Sequence, residues 1–230
     1  MTTPIEPMAD VRDMYMVHTM FRREFGLIPR LIRDVAEGDR RRAEIVGAHI
    51  DLLCRFLRVH HEGEDIILWP LLHERGGREA DAIVATMGAQ HILIETSVGQ
   101  VTKVLPSWRA TARAGAALAA AFDNLFPVLT EHMATEEKNV LPLAEKYVTA
   151  SEWKRLSQHA MEAFSKKELA LYFGLVMYET DPDVIKDVLE DAPLPVRLLI
   201  PHIAPRVFAS HSRRVHGTPT PPRAGGSSLN

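Results

Sequence analysis

Two stretches of this chain repeat each other in register. "HHEGEDIILWPL" at 60–71 and "HMATEEKNVLPL" at 132–143 share a histidine, a glutamate four residues on, an acid directly after it, apolar residues and a Pro-Leu pair. His60 and His132 are 72 residues apart, as are Glu64 and Glu136, and Pro70 and Pro142. Two further histidines, His18 and His91, are 73 apart. Coincidence is a poor explanation for so many registered positions. The chain reads as two related helix pairs, each supplying a His and then an H-x-x-x-E.

Through the first 148 residues, apolar side chains recur at three- and four-residue steps, the pattern of amphipathic helices. Gly and Pro punctuate "AEGDRR" (36–41), "ERGGRE" (74–79) and "LPSWRA" (105–110). These breaks predict four long helices at about 8–36, 40–73, 78–105 and 110–146, and no segment alternates as a strand would. Short turns make sequential helices antiparallel, so the expected fold is all-α, an up-down-up-down four-helix bundle over 1–148. Beyond it, "TASE" (149–152) and "SKKE" (165–168) are capping boxes. They predict helices at about 150–163 and 165–179. A short helix opens at Pro182, and one or two more lie in "LPVRLLIPHIAPRVFASHSRRVHG". Residues 149–216 are expected to pack on the bundle as an extension, and the Pro-, Gly- and Ser-rich 217–230 reads as a disordered tail.

Residues four apart share a helix face. His60 therefore projects with Glu64, and His132 with Glu136. In such a bundle the second and fourth helices are diagonal partners, as are the first and third, so His18 and His91 close the same level. Four imidazoles and two carboxylates converge in the core. Charged carboxylates there are costly unless they are paired or coordinate a metal. Imidazole and carboxylate without thiolate suit iron, manganese or zinc. Two bridging glutamates with two histidines on each side describe a dinuclear centre, for which iron is the usual occupant in such bundles. The Glu-x-x-His pairs of ferritin-like di-iron proteins and the H-E-x-x-H of zinc proteases are both absent.

The set His18, His60-x-x-x-Glu64, His91, His132-x-x-x-Glu136, with "E-[ED]-x-x-[LV]-x-P" running on from each glutamate, resembles the hemerythrin-like (HHE cation-binding) family over roughly residues 10–147. The resemblance implies a four-helix bundle holding two iron ions in an oxo- or hydroxo-bridged non-heme di-iron centre, with Glu64 and Glu136 bridging. One departure stands out. The oxygen-carrying members have H-x-x-x-H on the third helix, whereas this chain has His91-x-x-x-Glu95. Four imidazoles and two bridging carboxylates fill eight of the twelve places around two six-coordinate irons. A bridging oxygen makes ten, leaving two open, or one if Glu95 binds. An open, carboxylate-rich site favours turnover of small oxidants: hydrogen peroxide, dioxygen or nitric oxide. Catalase-like decomposition of hydrogen peroxide is the expected reaction. The alternative is a non-catalytic oxygen, iron or redox sensor, or an oxygen-binding protein, since the bundle does not need residues 150–216 to complete its site.

Several residues carry two readings. Glu95 is an iron ligand, or it forms an ion pair with Arg22 one turn beyond the iron. His61 lies about 100° round the helix from His60 and is an outer or surface residue, or else it replaces His60. Tyr15, one turn before His18, does redox or hydrogen-bonding work near the iron, or is a packed aromatic. His49 reads as a core or rim histidine, Cys54 as a small buried residue, and "SRRVHG" as a solvated helix end. A net charge of −3 makes no case for nucleic acid or an anionic membrane. No apolar run approaches the roughly 18 residues of a membrane span, and "MTTPIEPMADVRDM" lacks the form of a secretory signal. The single cysteine excludes an internal disulfide and fits a reducing cytoplasm. A monomer or weak dimer is expected.

Overall fold

The computed structural model describes residues 6–190, 192 and 194–224. Apart from one isolated bridge between Met8 and Thr149, every regular element among them is helical. Helix α1 is Arg12–Arg33 and α2 is Arg40–Gly63, which opens where the Asp39 side chain accepts from the Arg42 N–H. A π-helical turn, Glu64–Leu68, follows, then α3, Trp69–Thr111. Gly77 breaks α3 with φ 59° and ψ −149°, a pair of angles that only glycine adopts without strain. The segment before Gly77 therefore continues α2, and the segment after it is the third long helix. That helix does not stop at 105 as expected. It runs through Pro106 to Thr111, because Leu105 and Trp108 in its last turns are both buried in the core.

Helix α4 is Gly115–Asn139 and α5 is Leu141–Tyr147. The sequence predicts one helix here, but the chain breaks at Val140. Pro142 has no N–H, and its ring would strike the Lys138 carbonyl of a continuous helix. Around the bundle, α1 packs on α2 and α4, and α3 packs on the same two helices. Two apolar clusters lie along its length. One gathers Met20, Phe21, Phe25, Leu53, Val98 and Phe122. The other gathers Leu68, Trp69, Leu72, Met87, Leu141 and Ala144. The histidine and glutamate positions 18, 60–64, 91 and 132–136 fall between these clusters along each helix, so they form a polar layer with apolar packing on both sides.

The extension comprises α6 (Ala150–Ala163), α7 (Lys166–Met177), α8 (Pro182–Val188) and α9 (Leu194–His216). Both capping boxes form: Thr149 with Glu152, and Ser165 with Glu168. Helix α6 lies on α2 and the π turn, α7 on α1 and α9, α8 on α1, and α9 reaches α2. Gly174 lets α7 and α9 approach backbone to backbone, since a Cβ there would sit 2.4 Å from the Ala204 carbonyl oxygen. Residues 217–224, expected to be disordered, are tied to α7 and the turn beyond it. The Tyr178 hydroxyl donates to the Pro221 carbonyl at 2.9 Å, and the Ala224 N–H donates to Glu179 Oε2 at 2.9 Å. The rest of that expected tail, 225–230, lies outside the described residues. No helix among the described residues is long and apolar enough to cross a membrane.

Candidate metal centre

The repeated prolines shape the layer between the clusters. Pro70 would clash with the Ile66 carbonyl in an ordinary α-turn. The chain instead winds a π turn, and the Trp69 N–H reaches back to the Glu64 carbonyl. Single π turns inside helices gather at functional sites, and this one begins at Glu64. Pro142 has its counterpart effect in the break at Val140, four residues past Glu136. Each H-x-x-x-E therefore ends against a deformed turn.

The side chains form two overlapping groups. His18, His60, Glu64 and Glu136 make one, and His61, Glu64, His91 and His132 the other. Glu64 belongs to both. Its Oε1 lies 3.0 Å from His60 Nε2 and its Oε2 lies 3.2 Å from His91 Nε2. Glu136 turns one oxygen, Oε2, toward both His18 Nε2 at 3.2 Å and His132 Nε2 at 3.7 Å.

His61 lies inside the layer, not at its edge or on the surface. It is buried, stacks on His91 with centroids 4.1 Å apart, and meets His132 edge-on at 5.0 Å. His60 instead meets His18 and Phe21 of α1, each at 5.4 Å. Neighbouring residues on a helix diverge by about 100°. Because α2 packs between α1 and α3, a doublet straddling its inward line sends one ring to each side. His61 therefore joins His60 rather than replacing it.

Three imidazoles are held from behind. The His18 Nδ1–H donates to Glu137 Oε1 at 2.9 Å, and Arg22 grips the same carboxylate through two bonds of 2.7 and 3.0 Å. The His91 Nδ1–H donates to Asp65 Oδ1 at 2.8 Å, and Trp69 Nε1–H donates to the same oxygen at 2.9 Å. His132 Nδ1 faces Gln90 Oε1 at 3.2 Å. Such outer bonds fix the tautomer and ring orientation. Asp65 and Glu137 are the acids that follow each glutamate in the repeat. The repeat announced them, but sequence spacing gave no sign that each would orient a histidine on another helix.

Arg22 and Glu95 do not meet. Glu95 is exposed and pairs with Arg58 at 3.0 Å. It joins neither group, because the buried face of this helix runs from His91 through Ile94 to Val98 and leaves Glu95 at its solvent edge. Tyr15 is 42 % exposed, and its hydroxyl donates to the Glu137 carbonyl at 3.5 Å. It stays at the rim.

Nine buried atoms in this layer have no hydrogen-bond partner: the Nε2 atoms of His18, His60, His61, His91 and His132, and all four carboxylate oxygens of Glu64 and Glu136. An orphaned buried polar atom costs about 1–3 kcal/mol. Burial pushes the His132 imidazole down to about 3 and His61 well below its usual range. Burial also works against protonated His18, but the adjoining Glu136 carboxylate prevails and lifts it to about 9. Burial would raise Glu64, yet His60 beside it holds it well below the carboxylate range. Glu136 is raised by burial and by Glu64. Imidazole nitrogens and carboxylate oxygens aimed at common points are the donor set of a cation, which would take the place of the His18 proton.

A cavity of about 140 Å³ adjoins the layer. Met16, Phe56, Trp153, Phe164 and Tyr172 line it, so the bundle and the extension build it together. His60 and Glu64 contribute to its wall.

An all-helical bundle with such a layer defines a cation-binding domain. The sequence model of the hemerythrin HHE cation binding domain matches residues 9–144, more than half of the chain, and the chain belongs to that family. No curated protein and no solved structure matches it.

Proposed function

We propose that this is a non-heme di-iron protein of the cytoplasm whose centre binds one small, weakly hydrated oxidant, dioxygen or nitric oxide. The four-helix ring is read as the up-down-up-down bundle, residues 9–148 as the metal-binding unit, and the extension as its cover. His18 and His60 would hold one iron, His61, His91 and His132 the other, and Glu64 and Glu136 both. The nine orphaned atoms support this assignment, since two cations would satisfy all of them. Iron supplies the redox chemistry and the affinity for small oxidants. The chain does the rest. Glu137 and Asp65 keep His18 and His91 protonated at Nδ1, so that their Nε2 lone pairs face inward. The apolar clusters on both sides exclude water from the layer.

His61 is the observation that carries the choice of function. The expectation of peroxide turnover rested on two open coordination places. A fifth imidazole fills one of them, and a single place suits the binding of one ligand better than a catalytic cycle. The cavity points the same way. Its apolar wall admits an apolar diatomic gas at little cost, while hydrogen peroxide must shed strong hydrogen bonds to water on entry. Anaerobic reduced, iron-loaded protein titrated with dioxygen or nitric oxide should change its absorption at one ligand per chain. Many turnovers of oxygen evolved from peroxide, above a free-iron control, would restore the catalase reading and remove this one.

A further inference from the structure

We propose that Glu24, His49 and His216 form a second metal site, separate from the bundle centre, which takes one divalent first-row cation of the zinc class and pins α9 to α1 and α2. Glu24 Oε2 lies 3.1 Å from His49 Nε2 and 3.3 Å from His216 Nε2. Metal–ligand bonds of about 2.0–2.1 Å set neighbouring donors roughly 3.0–3.4 Å apart in octahedral or tetrahedral geometry. The bundle layer shows the same spacing, 3.0 Å for His60 with Glu64 and 3.2 Å for His18 with Glu136. The side chains of Glu24 and His49 are fully buried, and that of His216 is 5 % exposed.

Hydrogen bonding accounts for only half of the cluster: the His216 Nε2–H can donate to Glu24 Oε2 at 3.3 Å, but His49 is left over. His49 Nε2 has no hydrogen-bond partner although the carboxylate oxygen is close. Its N–H direction misses that oxygen, as a lone pair aimed at a third atom would. The imidazoles of the bundle centre share this mark. The outer contacts complete the case. His49 Nδ1 lies 3.0 Å from His211 Nε2. A His49 Nδ1–H can donate to it and leave Nε2 free for a metal. Arg23 Nε takes only Glu24 Oε1, at 2.7 Å, so Oε2 is left to the two imidazoles. Arg23 is also bound to Glu179, at 2.7 Å. Two carboxylates and one guanidinium, all nearly buried, leave one negative charge that a cation would offset. Imidazole and carboxylate donors with no thiolate suit zinc or a neighbouring divalent ion. His216 lies outside the residues matched to the family, 9–144, so the site is completed only by the extension of this chain.

Iron-loaded full-length protein titrated with Zn²⁺ should take up one further equivalent while its iron content and absorption stay unchanged. Hydrogen exchange across 200–216 should slow on zinc addition. His216→Gln should lose that equivalent and that protection, yet keep its iron and its thermal unfolding profile. Zinc that enters only by displacing iron, or His216→Gln protein that binds zinc as the parent does, would overturn the proposal. If His216→Gln fails to fold, the hydrogen-exchange response of the parent decides alone: no slowing across α9 rejects the site.

Discussion

The ring of His61 lies against that of His91, centroids 4.1 Å apart and planes 16° from parallel. Through this contact the second histidine of the doublet serves the half of the layer built by the third and fourth helices. His61→Ala is expected to release one iron of two and to keep the one held by His18, His60 and Glu136. Iron content after desalting measures this directly. Two irons retained per chain would show that His61 is only a packing ring.

Arg22 reaches the centre through Glu137. Removing the guanidinium frees the Glu137 carboxylate, which the His18 and Arg22 bonds hold at about 2 against the opposing effect of burial. Arg22→Ala should weaken iron retention about 10–100-fold, the usual size for loss of an outer partner. Competition with a chelator gives the number. Glu95→Ala, which only loses an exposed contact with Arg58, is the matched control and should change nothing.

Metal removal should soften the whole bundle, because nine polar atoms then remain buried without partners. Metal present at about a thousand times its Kd adds roughly 4 kcal/mol. For a chain of this length that is a rise in Tm on the order of 10 °C. Calorimetry of chelated and reloaded protein tests this, and equal melting temperatures would contradict metal binding by the folded layer.

Asp13 faces the cavity and accepts from Trp153 Nε1–H at 3.0 Å. Burial lifts its carboxyl from 3.8 to about 6. The folded state therefore holds this proton more tightly than the unfolded chain does. The resulting stability is present below pH about 4 and is lost as pH rises through 6. The full shift corresponds to about 3 kcal/mol, less in practice because part of the residue's surface is accessible. Asp13→Asn should remove this pH dependence and be the more stable protein at pH 7.5. Urea unfolding of both proteins at pH 5 and 7.5 would reveal it.

Gly174→Ala places a methyl 2.4 Å from the Ala204 carbonyl oxygen, backbone that cannot swing aside. Overpacking of this kind costs about 1–3 kcal/mol. The expected result is faster proteolysis within α9, with iron content unchanged.

The helices, the turn at the 76–77 glycines and both capping boxes are legible because each is written locally, in periodicity or in a cap four residues long. Most of the site was legible for a related reason: a duplicated H-x-x-x-E is a face of a helix repeated. His61 was not, because spacing to Glu64 singles out His60, and only the packing of α2 between two neighbours shows that both rings can point inward. The partners of Arg22 and Glu95 depend on helix rotation, which no i, i+4 count determines. The sequence makes His216 part of a solvated helix end. Its burial follows from α9 docking on α7, which brings its ring against Glu24 of α1, 192 positions away.

The two apolar clusters have one more consequence. Each ligand-bearing helix is gripped above and below the polar layer, so the layer resembles the midspan of a beam supported at both ends. Fraying at either end of the bundle reaches the centre only as a small pivot about the nearer support. Loss of an ion would therefore cost stability without displacing the helices, and the vacated layer would retain the outline of what it held.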